Sequence, residues 1–468
     1  MMADIIFPES SQPGRKPGEG AGRLINARCV VDRSLKWWEV CPGLTAFAAT
    51  GYSGFRGGIE VSGQLYAAVG EKVVKVSTGG VVTVLTGALS GSDPVTFAAN
   101  NAATPDLVAV CEAGTFSVSS SAVTSFADPD LPAVQSCASL DGYLCFNTGS
   151  GNIWATDLNA VTVDALSLAR AESSPDGLIR LTSAGRLLYA WGASVCEIWS
   201  NAGLSPFPLQ RAESLKIGLM SRWAIAGFGA GWDGPQIFVA SDGTVRALEG
   251  YQSRIVSTAD VEASIAAVVV KTDLRASVYV AKGHPIWVLS GPSFTWEFDL
   301  KTGLWNERKS FGLTKWRGVG GVYFNGRWYV GDSESQSLLL VDPSANDEAG
   351  ATFSAVIESA PIKDFPRRIV CHSAYFDFTN GQGVVTGLTS EIVSPTVAIE
   401  YSHDGGATWV QHSSNVKIGA AGEYSRTIRL NRFGMATHHG MRFRLTISAP
   451  VHRQFRGGRC EIEARAAA

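Results

Sequence analysis

The stretch SVYVAKGHPIWVLSGPSFTWEFDLKTGLW, residues 277–305, decides how the rest of the chain reads. Three short apolar runs, 277–281, 285–290 and 295–300, are separated by turn residues. Val278, Val280, Ile286 and Val288 recur with period two, so one face of each strand is buried. Asp299, Thr302, Gly303 and Trp305 then close the series. A polar residue, a turn glycine and a tryptophan in that order end a propeller blade well. The glycine accepts the hairpin, and the indole fills the space between sheets.

The same pattern extends outward from 46 to 343. Runs at 63–70, 72–77 and 81–87 form one series, and runs at 141–147 and 152–158 belong to another. Runs at 185–192 and 194–200 follow. Those at 236–240 and 244–248 flank Asp242-Gly243, and those at 318–324 and 327–331 flank Asn325-Gly326. Asp-Gly and Asn-Gly accept positive φ and predict two-residue hairpins. No long stretch with a 3.6-residue period competes. Grouped in fours, the strands give blades of about 35–50 residues. The expected fold class is therefore all-β: a β-propeller over 46–343, with seven blades preferred and six the alternative. Radial closure favours it over a row of sandwiches, because it protects strand edges.

Residues 1–45 read as an N-terminal arm and lead-in. The first 20 are rich in Pro, Gly and Ser, as in a segment that orders only against a partner. Residues 343–350 read as a linker. Beyond it the runs lengthen, at 395–402, 408–412, 423–430 and 441–447, so 351–468 is expected to form a smaller C-terminal β-sandwich.

With 468 residues, 45% hydrophobic and 17% charged, the chain can bury a large core and is not of disordered composition. Its 51 glycines and 13 tryptophans suit many short strands and tight turns. The longest apolar run, near 263–270, is far short of the roughly 20 residues that span a bilayer, so no membrane insertion is expected. Residues 1–8 lack the basic start of a secretory signal, which fits assembly in the cytoplasm. Net charge is -3, unevenly shared: from Tyr401 on there are ten Lys/Arg against four Asp/Glu, and the preceding residues are acidic. None of the eight cysteines forms a C-x-x-C pair. Buried free thiols are expected, not a zinc site or a disulfide framework.

The sharpest local motif is Ser402, Asp404, Gly406, Thr408 and Trp409, an Asp box. Its role is structural: Ser and Asp cap a tight turn through backbone N–H groups, Gly takes the unusual φ, and Trp anchors the hairpin. It resembles the repeats of sialidases. Such an enzyme would need several boxes, an arginine cluster and a Tyr nucleophile beside Glu, and one box is present. His438 and His439, with His403, His412 and His452, form the only histidine cluster. Adjacent strand residues point to opposite faces, which disfavours shared ligation. Glu172 and Asp176 read as an ion pair and turn between blades; no nucleophile–base arrangement makes them catalytic. The basic set Arg426, Arg429, Arg432, Arg442, Arg444, Arg453, Arg456 and Arg459 suits an acidic neighbouring subunit or DNA phosphates. No catalytic, cofactor-binding or metal-binding residues are assigned, and no phosphate-cradling Gly loop occurs.

Three stretches resemble the tail accessory proteins of short-tailed phages, the packaged-DNA stabilisation or tail hub (nozzle) family. The first is 24–44, with Asn26 and a closing Pro42-Gly43-Leu44. The second is Arg170-Ala171-Glu172-Ser173 with Pro175-Asp176-Gly177, an apolar strand and Glu197-Ile198. The third is Thr302-Gly303-Leu304-Trp305 with Trp316-Arg317-Gly318 and Gly331-Asp332. The Asp box and basic C-terminus lie outside the family pattern. The resemblance implies a virion tail protein assembled in the host cytoplasm: a homohexameric ring below the head-to-tail adaptor, enclosing a channel. It also implies docking of tail spikes or fibres and of a needle or plug, retention of packaged DNA, and its non-specific passage at ejection. A mildly acidic body fits a conduit, because each phosphate contact would add salt-dependent grip. The alternative is a carbohydrate-binding or carbohydrate-active propeller, suggested by the Asp box and the tryptophans; a propeller scaffold outside phages is the third reading.

Overall fold

The computed structural model describes residues 1–33, 35–171, 177–383 and 390–465. Seven four-stranded antiparallel groups make a propeller. Blade 1 is Phe55–Val61, Gln64–Val69, Lys72–Val76 and Val82–Val84; blade 2 is Thr96–Ala99, Leu107–Cys111, Gly114–Val118 and Val123–Ser125. Blade 3 is Ser136–Leu140, Tyr143–Asn147, Asn152–Thr156 and Val163–Arg170; blade 4 is Arg180–Ala184, Leu187–Trp191, Cys196–Asn201 and Leu209–Leu215. Blade 5 is Ile225–Ala226, Gln236–Val239, Val245–Glu249 and Gln252–Ile255; blade 6 is Arg275–Ala281, His284–Ser290, Thr295–Asp299 and Leu304–Glu307. Blade 7 takes Gly318–Phe324, Arg327–Asp332 and Ser337–Asp342 from its own stretch. Its fourth strand is Gly43–Ala49, which precedes blade 1 in the chain and pairs Leu340 with Thr45. One end of the propeller is thereby fastened to the other by backbone hydrogen bonds.

The turn chemistry works as expected at Asn325-Gly326, but Asp242-Gly243 is not a two-residue hairpin: the paired strands end at Val239 and Val245, and of the two residues Gly243 alone takes positive φ, 87°. Asn325 and Gly326 both take positive φ, 47° and 76°, as a type I′ hairpin requires. In the deciding stretch, Gly303 sits at φ 74°, and its N–H donates to the Asp299 carbonyl at 2.8 Å. Trp305 is 1% exposed and packs against Trp287, Trp296 and Phe298. First strands of blades 1 to 4 meet in succession around the axis, as do those of blades 5, 6, 7 and 1. Blades 4 and 5 join through side chains: the Thr182 hydroxyl donates to Gln236 Oε1 at 2.7 Å. One helix, Ala259–Ala267, bridges blades 5 and 6. It buries Val261 and Ile265, and Lys271 Nζ closes its C-terminal end by donating to the carbonyls of Ile265 and Val268.

The sandwich has two sheets around one apolar core. One sheet runs Ala27–Asp32, Leu35–Val40, Gln454–Arg465, Arg368–Phe378 and Ile428–Met435, with Met2–Ile5 also paired on Gln454–Arg465. The other runs Arg23–Ile25, Ala355–Glu358, Arg442–Ile447, Thr396–Ser402 and Val410–Lys417. Residues 1–40 thus differ from the arm expected of them. Met2 aligns with Glu461 and Ile5 with Gly458, while Phe7, 2% exposed, wedges between Trp38 and Phe455. The strand partner of Met2–Ile5 lies some 450 residues away, so local composition hid the pairing.

The second sheet is continuous with the propeller. Arg23–Ile25 pairs antiparallel with Ala355–Glu358 and parallel with the outer strand of blade 6, Ile25 facing Glu307. Nine strands in all share this sheet. The expected linker at 343–350 is also packed down: Leu44 N–H donates to Asp347 O, Ala349 N–H donates to Leu44 O, and Glu348 is 1% exposed.

Candidate functional site

Charged side chains that composition alone would place on the surface are gathered where blade 6, blade 7 and the sandwich meet. Arg308 is fully buried. Its Nη2 donates to Glu348 Oε1 at 3.1 Å and to the Pro42 carbonyl, and its guanidinium lies against Trp316 and Phe353. Trp316 Nε1 donates to the same Glu348 oxygen at 3.0 Å. Burial pulls the Arg308 pKa down, but Glu297, Cys41 and Glu348 outweigh it and raise it overall. Glu297, 1% exposed, accepts from Tyr279 Oη and Asn306 Nδ2, each at 2.8 Å. Burial, then Glu297, pushes the Cys41 thiol up to about 12.

Around this centre, Arg23 grips Glu307 with Nε at 2.7 Å and Nη2 at 2.6 Å. Arg28 grips Glu39 with Nε at 3.0 Å and Nη2 at 2.6 Å. Arg317 forks onto Asp332 at 2.8 and 2.6 Å and donates to the Glu348 carbonyl. His284 Nδ1 meets Asp299 Oδ2 at 2.6 Å. Burial pushes Asp299 up, and the His284 hydrogen bond and charge outweigh it, leaving the carboxyl below its ordinary value. Asn26 holds the left-handed conformation, φ 55°, that Asn tolerates better than most residues. Its Nδ2 donates to Lys309 O at 2.7 Å and Ser354 O at 2.9 Å, while its Oδ1 accepts from Lys309 N–H at 2.9 Å. One amide thereby joins the lead-in, blade 6 and the sandwich. Asn26, Trp316, Arg317 and Asp332 came up in the sequence only through resemblance; no spacing rule marks them as one network.

The Asp box folds as a tight turn. Ser402 Oγ donates to Asp404 Oδ1 at 2.7 Å and accepts from Gly406 N–H at 2.8 Å. Asp404 accepts from the Thr408 N–H at 2.9 Å and hydroxyl at 2.6 Å. Slight burial pushes Asp404 up, but these bonds hold it at about 2. Gly406 takes φ 103°, and Trp409 lies under Arg444, 3.8 Å from the guanidinium carbon to the ring centroid.

The basic C-terminal set is not gathered into one patch. Arg453, 4% exposed, donates to the carbonyls of Phe353, Ile447 and Asn346. Arg442, 4% exposed, donates to the carbonyls of Glu19 and Gly20. Arg444 pairs with Glu358 and Glu400, Arg426 with Glu423, Arg456 with Asp377 and Arg459 with Asp4. Arg429 lies over Tyr375, and Arg432 is exposed with φ 71°.

Among the histidines, His403 and His412 each bond a backbone carbonyl, of Phe433 and Asn431, and the rings of His438 and His439 lie 4.0 Å apart. Among the described residues no group of three or more His, Cys, Asp or Glu is arranged to hold a metal. All eight cysteines are buried and free. Glu172 and Asp176 lie outside the described residues. Among the described residues no helix is long and apolar enough to cross a membrane.

A family model described as the bacteriophage P22 Gp10 β-propeller, of phage stabilisation, matches residues 34–346. No curated protein matches the chain. Among solved structures, virginiamycin B lyase from Staphylococcus aureus aligns at 9% identity and TM-score 0.43, over 62% of this chain and 95% of its own. The WD40 propeller domain of Doa1 aligns at 11% identity and TM-score 0.42, over 64% of this chain and 96% of its own. At such distances neither likeness bears on activity.

Proposed function

Because the chain belongs to the bacteriophage P22 Gp10 β-propeller family of phage-stabilising proteins, we propose that it forms the nozzle ring of a short tail, retaining packaged DNA and conducting it at ejection. The match over 34–346 carries this reading. In it, copies of the chain close a homohexameric ring by a heterologous contact repeated around the axis. The ring sits below the head-to-tail adaptor and carries spikes or fibres and a needle or plug, and the chain does no covalent chemistry.

Two features support the mechanical part. The ionic junction fixes propeller and sandwich in one arrangement through oriented, charge-assisted bonds, which suits a wall under internal pressure. The acidic excess before Tyr401 gives passing DNA little to hold. The carbohydrate alternative has less support: Asp404 is occupied with its own turn and Trp409 is covered by Arg444.

Particles assembled without this chain, treated with nuclease after packaging, are expected to lose their DNA and to regain retention when the purified protein is added. Quantitative mass spectrometry of complete particles should give about six copies, and antibody label should fall on the tail in electron micrographs. Retention of DNA without the chain, or label confined to peripheral fibres, overturns the proposal.

A further inference from the structure

Five blades carry an arginine where the first strand begins: Arg56 in blade 1, Arg180 in blade 4, Arg222 just before blade 5, Arg275 in blade 6 and Arg317 just before blade 7. Those first strands line the axis, so the arginines ring one mouth of the central channel. Two are spent within the fold. Arg56 binds Asp93 Oδ1 and the carbonyls of Gly70, Leu89 and Asp93, and Arg317 is paired with Asp332.

The other three have no carboxylate in ion-pair range among the described residues: Arg180 and Arg222 are in contact, and Arg275 opens the adjoining strand of blade 6. Arg180 Nη1 donates to the carbonyl of Arg222 at 2.7 Å, and Ala276 N–H, beside Arg275, donates to the carbonyl of Trp223, beside Arg222, at 2.7 Å. Blade 5 begins there with a first strand of only two residues, Ile225–Ala226, and arginines and aromatics fill the place. Trp223 and Phe228 lie 5.2 and 5.1 Å from the Arg180 guanidinium, and Trp223 lies 5.7 Å from that of Arg222. With its faces against aromatics, Arg180 can meet a ligand only by its edge.

Arg180 Nε is sealed from solvent with no acceptor. Burial, and then Arg222, pull its pKa down to about 10, so at neutral pH it is still a cation with no counterion built in. The carboxylates facing the cluster are Asp93, Glu112 and Asp273. Asp93 is already taken by Arg56 and by the Glu112 N–H. A partly buried cation without a partner is costly, and guanidinium edges match tetrahedral oxyanions.

We propose that Arg180, Arg222 and Arg275 form a binding site for a phosphate-class oxyanion at this mouth of the propeller channel. The phosphate is either free or part of a single-stranded phosphodiester. The site is independent of where the chain sits in a particle.

Inorganic phosphate titrated into the full-length chain at constant ionic strength, with chloride as balance, should stabilise it saturably. At ten times the dissociation constant the folding equilibrium constant should rise about elevenfold. Arg222→Gln and Arg275→Gln, whose guanidinium groups make no ion pair or hydrogen bond among the described residues, should keep most of the unliganded stability and weaken phosphate at least tenfold. Arg180→Gln should abolish binding; should it fail to fold, the other two variants decide. An oligothymidylate without terminal phosphates that competes with phosphate assigns the site to phosphodiester, and one that does not compete assigns it to free phosphate. A phosphate effect equal in wild type and Arg222→Gln overturns the site, as does binding of polyglutamate without binding of phosphate.

Discussion

Replacing Glu348 by Leu removes the carboxylate that faces fully buried Arg308 and accepts from Trp316 Nε1. Breaking a buried pair from one side typically costs about 3–5 kcal/mol, and leaving a buried N–H unpaired costs about 1–3 kcal/mol. Glu297 remains near Arg308 and offsets part of this, so a loss of about 4 kcal/mol is expected, a large share of the roughly 5–15 kcal/mol that holds a native protein together. Urea unfolding followed by tryptophan fluorescence should show a lower midpoint at unchanged slope. Combining it with Arg308→Met removes the stranded guanidinium, and leaves Pro42 O and Trp316 N–H unpaired and the buried Glu297 carboxylate without the Arg308 cation. The double variant should therefore be at least about 1 kcal/mol more stable than the sum of the two single losses implies. A Glu348→Leu loss below about 1 kcal/mol, or additive single losses, would refute the view that this junction is one charge-coupled unit.

Asn26→Ala strands the Lys309 and Ser354 carbonyls and the Lys309 N–H, and should cost at least about 2 kcal/mol in the same assay; a neutral result would mean that water replaces the amide. Asp299 and Asp332 both sit below their ordinary values, burial pushing each up and the His284 bond or the Arg317 fork outweighing it. Their stabilisation is fully present above the unfolded value of about 3.9 and is lost as pH falls through the lower folded values. Unfolding midpoints should therefore drop steeply below about pH 4, less so in Asp332→Asn, and parallel curves would contradict the assignment. Deleting residues 1–7 strips Ile5 and Phe7 from the sandwich core, at about 1.5–3 kcal/mol each; limited proteolysis should then cut the sandwich before the propeller, and an unchanged digest would refute the pairing.

The blade at 275–307 was legible because every device in it is local: alternation, turn residues and a closing tryptophan. The Asp box was legible for the same reason, since its bonds span at most four residues. What stayed hidden depends on distant partners. Thr45 gives no local sign that it will face Leu340, nor Met2 that it will face Glu461. A Pro- and Gly-rich start reads as a loose arm because its matching strands lie at the other end of the chain. The residues at 343–350 read as a linker because a lone Glu348 among turn residues resembles a solvated charge until Arg308 is placed beside it. The arginine set read as an outward-facing charge for the same reason: the carbonyls that Arg442 and Arg453 bind leave no trace in composition.

Closing the propeller with Gly43–Ala49 also sets a timetable for synthesis. The strand leaves the ribosome before any blade exists, and its mate, Ser337–Asp342, is made last of the seven groups. Met2–Ile5 waits longer still, for Gly458–Glu461. At about 5–20 residues per second the delay is roughly 20–90 s. Through that interval the nascent chain carries unmatched strand edges beside growing blades, the condition under which neighbouring chains on one message exchange strands. Assembly of this protein should thus be unusually sensitive to translation speed and to chaperones that shield edges, and slowing elongation near the 3′ end of its message should lower the yield of closed propellers more than slowing it near the start.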